Sequence, residues 1–433
     1  MNQYAQMIRQ LKTPEVMKQL THLYGQRDGM LVAQTTRYTR LLKRHEELVG
    51  SEGCVRMISA PGRAEIGGNH TDHNRGKVLA AAVNLDTLAA VTPRDDGVVN
   101  IHSEGYDPMS ISLDDLSVRK DEKGTTAALV RGVAAKLRED GRPVGGFDAV
   151  VTSTVRGGSG LSSSAAFEVM VCAIFDELYG GNALSAKRRA QISQHAENVY
   201  FGKPSGLLDQ MASSVGGLTF IDFKEDDPLV REISYDFSAK GYALVVVNTG
   251  GSHDDLTPDY AAIPAEMRAV ASCFGEAYLR RVQPEQFFQS IPQVREKLKG
   301  QNADRAILRA SHYFAENRRV AGEVEALQSD SLKDFLRLVI ESGRSSFCYL
   351  QNIFSRSDRQ ELSLALMLSE SKLGENGAWR VHGGGFAGTT LNFVPKKELD
   401  GFVRDMEAVF GAHSCNVLDI RPVGPACIAL GEQ

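Results

Sequence analysis

Over the first fifty positions Leu, Met, Ile and Val recur every three or four residues among charges, a spacing that predicts two or three helices. From Val55 the pattern changes to short β-type runs, Leu88 to Thr92, Val98 to His102 and Phe147 to Val155, separated by Gly, Asp and Pro turns. A second set of strand-like runs, Leu218 to Phe223 and Tyr242 to Asn248, precedes a long charged region of helical pattern that reaches about Leu373. Leu399, Phe402, Val403, Met406, Val409 and Phe410 then mark one helix face, and Asn416 to Val423 and Ala426 to Leu430 read as closing strands. The pattern predicts an α+β protein of two domains, residues 51–216 and 217–433, behind a helical extension over residues 1–50. The closing strands are free to return to the first domain.

The chain has 433 residues, 42% hydrophobic and 24% charged, which is ordinary globular composition and enough for two cores. Its 49 Lys and Arg against 54 Asp and Glu leave a net charge of −5. That balance supplies no basic field for nucleic acid or anionic lipid, so an anionic ligand has to be held by local geometry. The six cysteines are scattered without a C-x-x-C pair and read as reduced thiols. With no signal-type apolar segment and no window of about 18 apolar residues, the expectation is a cytoplasmic protein. A monomer or homodimer is expected.

Chemistry concentrates first in Arg156-Gly-Gly-Ser-Gly-Leu-Ser-Ser-Ser-Ala-Ala166, between the strand Phe147 to Val155 and a periodic segment. Val169, Met170, Ala173, Ile174 and Leu178 share one face of that segment, Ser162 to Ser164 can cap its start, and Gly180-Gly181 stop it. A glycine loop feeding a helix N-terminus points backbone N–H groups and a partial positive charge of about +0.5 at one spot, which suits a phosphate chain. The Walker pattern is absent, and the bland reading is a linker before a capped helix.

Gly-Leu-Ser-Ser-Ser-Ala at 160–165 resembles the nucleotide loop of the GHMP small-molecule kinases. Ala60-Pro-Gly-Arg-Ala-Glu-Ile-Gly-Gly-Asn-His-Thr-Asp-His-Asn74 resembles the galactokinase signature, and His382-Gly-Gly-Gly-Phe-Ala-Gly388 the third family motif. The three stand in the family's order, and the resemblance runs from about Val55 to Leu430. It implies a two-domain GHMP fold with ATP and a small sugar meeting in the cleft between domains. The nucleotide would lie against Gly158, Gly160, Leu161, Ser162, Ser163 and Ser164, with Mg²⁺ on Ser163 and Glu197.

Arg63, His70, Asp72 and Asn74 crowd one loop, an expensive set unless it faces water or a polar ligand such as a polyhydroxylated sugar. A metal site on His70, Asp72 and His73, or a solvated turn, are the competing readings. The resemblance implies that His70 and Asp72 bind sugar hydroxyls and that Arg63 lies beside the reacting centre. Ser205-Gly-Leu-Leu-Asp-Gln-Met-Ala-Ser213 resembles the segment supplying the base, here Asp209, and Asn248 to Tyr260 the one supplying a sugar-facing Tyr260. The signature departs from the family where Asn69 replaces a glutamate that helps hold the sugar's outer hydroxymethyl, His73 a tyrosine, and Glu65 an asparagine. Asn69 is still expected on the sugar. The leading expectation is phosphorylation of galactose at C1, and the alternatives are a kinase for another aldose or a sugar- and ATP-binding sensor without catalysis.

Overall fold

The computed structural model of the protein describes residues 3–155, 160–251, 256–386, 388–428 and 430. Its first sheet is built on two long strands, β1 (Arg56–Gly67) and β2 (Lys77–Arg94). β3 (Val98–Ser103), β4 (Met109–Ser112), β5 (Gly146–Ser153), β6 (Leu218–Asp222) and β7 (Leu229–Ile233) join them. The second sheet contains β8 (Tyr242–Asn248), β9 (Ala378–His382), β10 (Thr389–Pro395) and β11 (Cys415–Leu418), and the chain closes with β12 (Ala426–Ile428).

The first sheet runs β12-β1-β2-β5-β3-β4, antiparallel except for the parallel pair β3 and β5. The outer part of β2 pairs with β6, which pairs with β7, so this sheet continues past Gly217 and the change of sheet falls between Ile233 and Tyr242. The return of a closing strand is made by β12 against β1. The second sheet is antiparallel, in the order β11-β8-β10-β9.

Residues 3–49 form three helices, α1 (Gln3–Gln10), α2 (Pro14–Tyr24) and α3 (Met30–Val49). β2 is apolar almost throughout because both of its faces are covered, and its side chains sort by the two-residue period. Leu88 and Ala90 face these N-terminal helices, whereas Ala89 and Val91 face a core shared with α4 (Thr126–Glu139) and α5 (Ser163–Phe175). The N-terminal helices are bound to the sheet by a buried polar knot at Asp86. Arg37 Nη1 and Tyr24 Oη donate to it at 2.5 Å, Ser59 Oγ donates as well, and Arg421 lies 3.6 Å away. Burial pushes the Asp86 carboxyl up, but Arg37 and Arg421 more than offset this and hold it below the usual carboxylate range.

The helices α6 (Ala186–His195) and α7 (Leu208–Val215) follow α5 in the first unit. The helical region of the second contains α8 (Thr257–Ser272), α9 (Ala303–Gln328), α10 (Leu332–Ser345), α11 (Glu361–Leu373) and α12 (Leu399–Phe410). The two sheets share a core in which Ile66 and Leu79 of the first meet Val246, Leu391 and Phe393 of the second, with Val320 and Phe335 from α9 and α10. Phe335 is fully buried, 5.2 Å from the rings of both Phe237 and Phe393, so truncation to Ala costs about 3–5 kcal/mol.

Candidate active site

β1 has two breaks in its register with β2, between Pro61 and Arg63 and between Glu65 and Gly67. Such bulges re-aim side chains, and here they turn Arg63 toward the head of α5. Its guanidinium grips Asp209 with both arms, Nε to Oδ1 at 2.7 Å and Nη2 to Oδ2 at 3.0 Å, while Nη1 donates to the Gly160 carbonyl. Ser162 Oγ also donates to Asp209 Oδ2.

Ser162 stands at the N-cap of α5 with φ +57°, and its hydroxyl is spent on Asp209 instead of the helix backbone. The capping bond expected from the sequence is not made. A left-handed serine costs about 1–3 kcal/mol and persists where its surroundings impose it. Asp209 lies in the first turn of α7, where the helix dipole favours negative charge. Burial raises its carboxyl, and the charge and hydrogen bonds of Arg63, with the bond from Ser162, more than reverse that, so the net shift is downward. Its side chain is 34% exposed, open to a ligand.

The sugar-signature residues divide. His70, itself left-handed at φ +56°, donates its Nε2–H to the Gly384 carbonyl at 2.9 Å. Burial first, then neighbouring His73, pulls its pKa down to about 4, so the ring is neutral at physiological pH with Nδ1 left as an acceptor. Asp72 Oδ1 accepts from the His73 backbone N–H at 2.9 Å, and its carboxylate lies against Gly206, where a Cβ would collide with Oδ2. Asp72 thus sits at the turn that leads into α7. Tyr260 donates to the Gly385 carbonyl at 2.8 Å and packs edge-on against Phe386.

Asn69 does not join them. It is fully buried, and its amide is engaged by Glu65, Gly383, Asn352 and Ser346, so it presents nothing to a sugar.

Glu197 lies in a single π turn that ends α6, a distortion frequent at functional sites. Its serine partner is Ser164, whose Oγ donates to Oε1 at 3.0 Å; the expected pairing with Ser163 is not seen. Lys203 Nζ lies 3.1 Å from the same oxygen, and Ser205 Oγ and Gln210 Nε2 donate to Oε2 at 2.5 and 2.8 Å. A hydroxyl beside a carboxylate is a hard-oxygen pair of the kind Mg²⁺ prefers, and the Lys203 side chain that pairs with Glu197 is 60% exposed. Mg²⁺ usually takes its other ligands from phosphate and water; among the described residues no cluster of three or more His, Cys, Asp or Glu could hold an ion by itself.

The nucleotide loop and third motif meet at Gly160. Its φ is +72°, and a Cβ there would collide with Thr389 Oγ1 and crowd His382 Nδ1. Leu161 is buried and its carbonyl accepts from Arg63 N–H at 3.2 Å. Gly158 lies outside the described residues.

Several participants carry no local signal in the sequence. Arg380 of β9 donates to Glu65 Oε1 at 2.8 Å across 315 positions, and His382 Nε2 accepts from the Glu65 N–H at 3.1 Å. Burial drives the Glu65 carboxyl up to about 7, with Arg380, Arg63 and Asn69 acting against it. Lys203 and Gly206 lie within six residues of Asp209, but the need for glycine at 206 comes from the Asp72 carboxylate packed against it.

Comparison with known proteins fits this geometry. The galactokinase galactose-binding signature matches residues 43–93 and the GHMP kinases N terminal domain residues 128–217. A crystal structure of Lactococcus lactis galactokinase complexed with galactose is similar at TM-score 0.78 and 23% identity, over 90% of this chain and 99% of that one. The mevalonate kinase of Methanococcus jannaschii is similar at TM-score 0.60 and 13% identity, over 85% and 99%. The fold is therefore the two-domain α+β fold of GHMP kinases, which are phosphotransferases. The galactokinase of Streptomyces coelicolor is 33% identical over 377 residues, 86% of this chain and 92% of that protein, and that of Clostridium tetani 28% over 372. The chain belongs to the galactokinase family.

Proposed function

We propose that the protein transfers the γ-phosphate of ATP to the C1 hydroxyl of galactose in the cleft lined by Arg63, His70, Asp72 and Asp209. The observation that carries this reading is the two-armed Arg63–Asp209 pair at the head of α5. A sugar hydroxyl placed on Asp209 loses its proton to the carboxylate as its oxygen bonds to the γ-phosphorus, while the bond from that phosphorus to the bridging oxygen breaks and ADP leaves with the electron pair. Asp209, with its pKa held down, is a weak base. That suits a loose transition state in which positioning and charge dominate over proton removal.

Arg63 offsets charge on the transferring group, since its position is fixed before the reaction begins. The α5 N-terminus and the Gly160 to Ser164 backbone receive the phosphates. Ser164 and Glu197 hold Mg²⁺, which supplies charge neutralisation when bound. His70 and Asp72 hold sugar hydroxyls from the loop after β1. The same reading places the protein in the cytoplasm; among the described residues no helix is long and apolar enough to cross a membrane.

The test is Asp209→Asn. Turnover on galactose is expected to fall about 10² to 10⁴-fold while galactose still binds, and a variant that keeps most of its activity would remove Asp209 from the mechanism.

A further inference from the structure

Asn69 is engaged on every side by protein. Its Nδ2 donates to Glu65 Oε1 at 2.8 Å and to the Gly383 carbonyl at 2.7 Å, and its Oδ1 accepts from Asn352 Nδ2 at 2.8 Å and Ser346 Oγ at 3.3 Å. Its own carbonyl accepts from His312 Nε2 at 3.0 Å. Both donors of the amide and its oxygen are in use.

The side-chain partners come from three parts of the chain, and His312 on α9 adds a fourth. Glu65 is on β1, with its carboxylate fixed by Arg380 Nη2 at 2.8 Å. Gly383 opens the glycine turn after β9. Asn352 follows α10 and donates also to the Gly384 carbonyl at 3.1 Å, the oxygen that receives His70 at 2.9 Å. Arg380 Nη1 in turn donates to the Ile66 carbonyl at 2.7 Å. Asn69 is therefore the pin through which β1, the glycine turn and the His70 loop keep one register.

We propose that Asn69 and Glu65 are positioning residues that touch no part of the sugar and set its KM by fixing His70 and the Gly383–Gly385 turn. The proposal rests on the reading of the cleft as the sugar site. Aspartate at position 69 keeps the shape but turns both donors into an acceptor that faces the Glu65 carboxylate and the Gly383 carbonyl. Glutamine at position 65 keeps an acceptor for Arg380 and gives the introduced carboxylate a donor, so it repairs the contact with polarity reversed.

The full-length chain, E65Q, N69D and E65Q/N69D are compared by steady-state ADP release with galactose and ATP varied separately. Folding is followed by the fluorescence of Trp379, the sole tryptophan, one residue from Arg380. N69D is expected to raise the galactose KM at least about tenfold with the ATP KM within about twofold, E65Q to stay within about threefold, and the double variant to recover at least about fivefold of the N69D loss.

A galactose KM unchanged in N69D, both KM values rising together, or a double variant no better than N69D overturns the proposal. If N69D does not fold, the double variant decides: it must fold and turn over, and failure of either overturns the proposal. A wild-type chain without turnover on galactose defeats the functional reading and this proposal with it, before any variant is compared.

Discussion

Arg63 holds Asp209 by two parallel bonds, at 2.7 and 3.0 Å, from a bulged strand to the first turn of a helix 146 residues away. A lysine could match the charge but not the fork. Arg63→Lys is expected to lower kcat about 100-fold with a smaller effect on galactose binding, measured by steady-state kinetics. Because Arg63 keeps the Asp209 carboxyl below its usual range, an acid limb of kcat/KM within the ordinary carboxylate range is not set by Asp209.

Gly206 is the floor under Asp72. A methyl group there would occupy the place of Asp72 Oδ2 and push the carboxylate from its seat beside α7. Gly206→Ala is expected to raise the galactose KM about tenfold or more, the equivalent of one or two lost hydrogen bonds, with the ATP KM within about twofold. Varying the two substrates separately checks it.

Gly160 has the opposite signature. Its left-handed φ of +72° and its contact with Thr389 and His382 tie the nucleotide loop to the second sheet. Gly160→Ala adds backbone strain of about 1–3 kcal/mol to a direct collision, so both the melting temperature and the affinity for ATP are expected to fall.

Glu323 lies on α9 behind Gly67, fully buried, and neither carboxylate oxygen has a hydrogen-bond partner among the described residues. Burial first, then the negative charge of Glu316, lifts its pKa to about 8, against the pull of Arg380 and Arg319. The folded protein therefore binds a proton there that the unfolded chain releases near pH 4.5, and the associated stability is lost as pH rises through about 8. The difference in melting temperature between Glu323→Gln and wild type is expected to grow in favour of the variant from pH 5 to pH 8.5, and a constant difference would contradict the assignment.

Short-range features of this protein were legible in its sequence because the forces behind them are local. Helices within residues 3–49, the strand before and the helix after the glycine loop, and a helix over Leu399–Phe410 that buries Phe402 and Met406 are all present, although Val409 of the expected face is exposed and residues 156–159 of the loop lie outside the described residues. What failed depends on partners far along the chain. Nothing near Asn69 announces that Gly383, Asn352 and Ser346 will consume its amide, 277 to 314 positions away. Ser162 has the composition of a cap, yet Asp209, brought in by α7, displaces the helix backbone as the partner of its hydroxyl. Ser163 and Ser164 are indistinguishable on paper, and only the approach of the π turn after α6 selects Ser164 for Glu197. The first sheet runs past the domain boundary expected at Gly217 for the same reason, since β6 is recruited by the free outer length of β2.

The most direct measurement is ADP release by the wild-type chain with ATP, Mg²⁺ and a panel of aldoses that includes galactose, its epimers, an amino sugar and a pentose. The structure and the family together predict turnover with galactose at the highest kcat/KM of the panel and a product phosphorylated at C1. A higher kcat/KM on another aldose, or galactose binding with no ADP released, would contradict that claim.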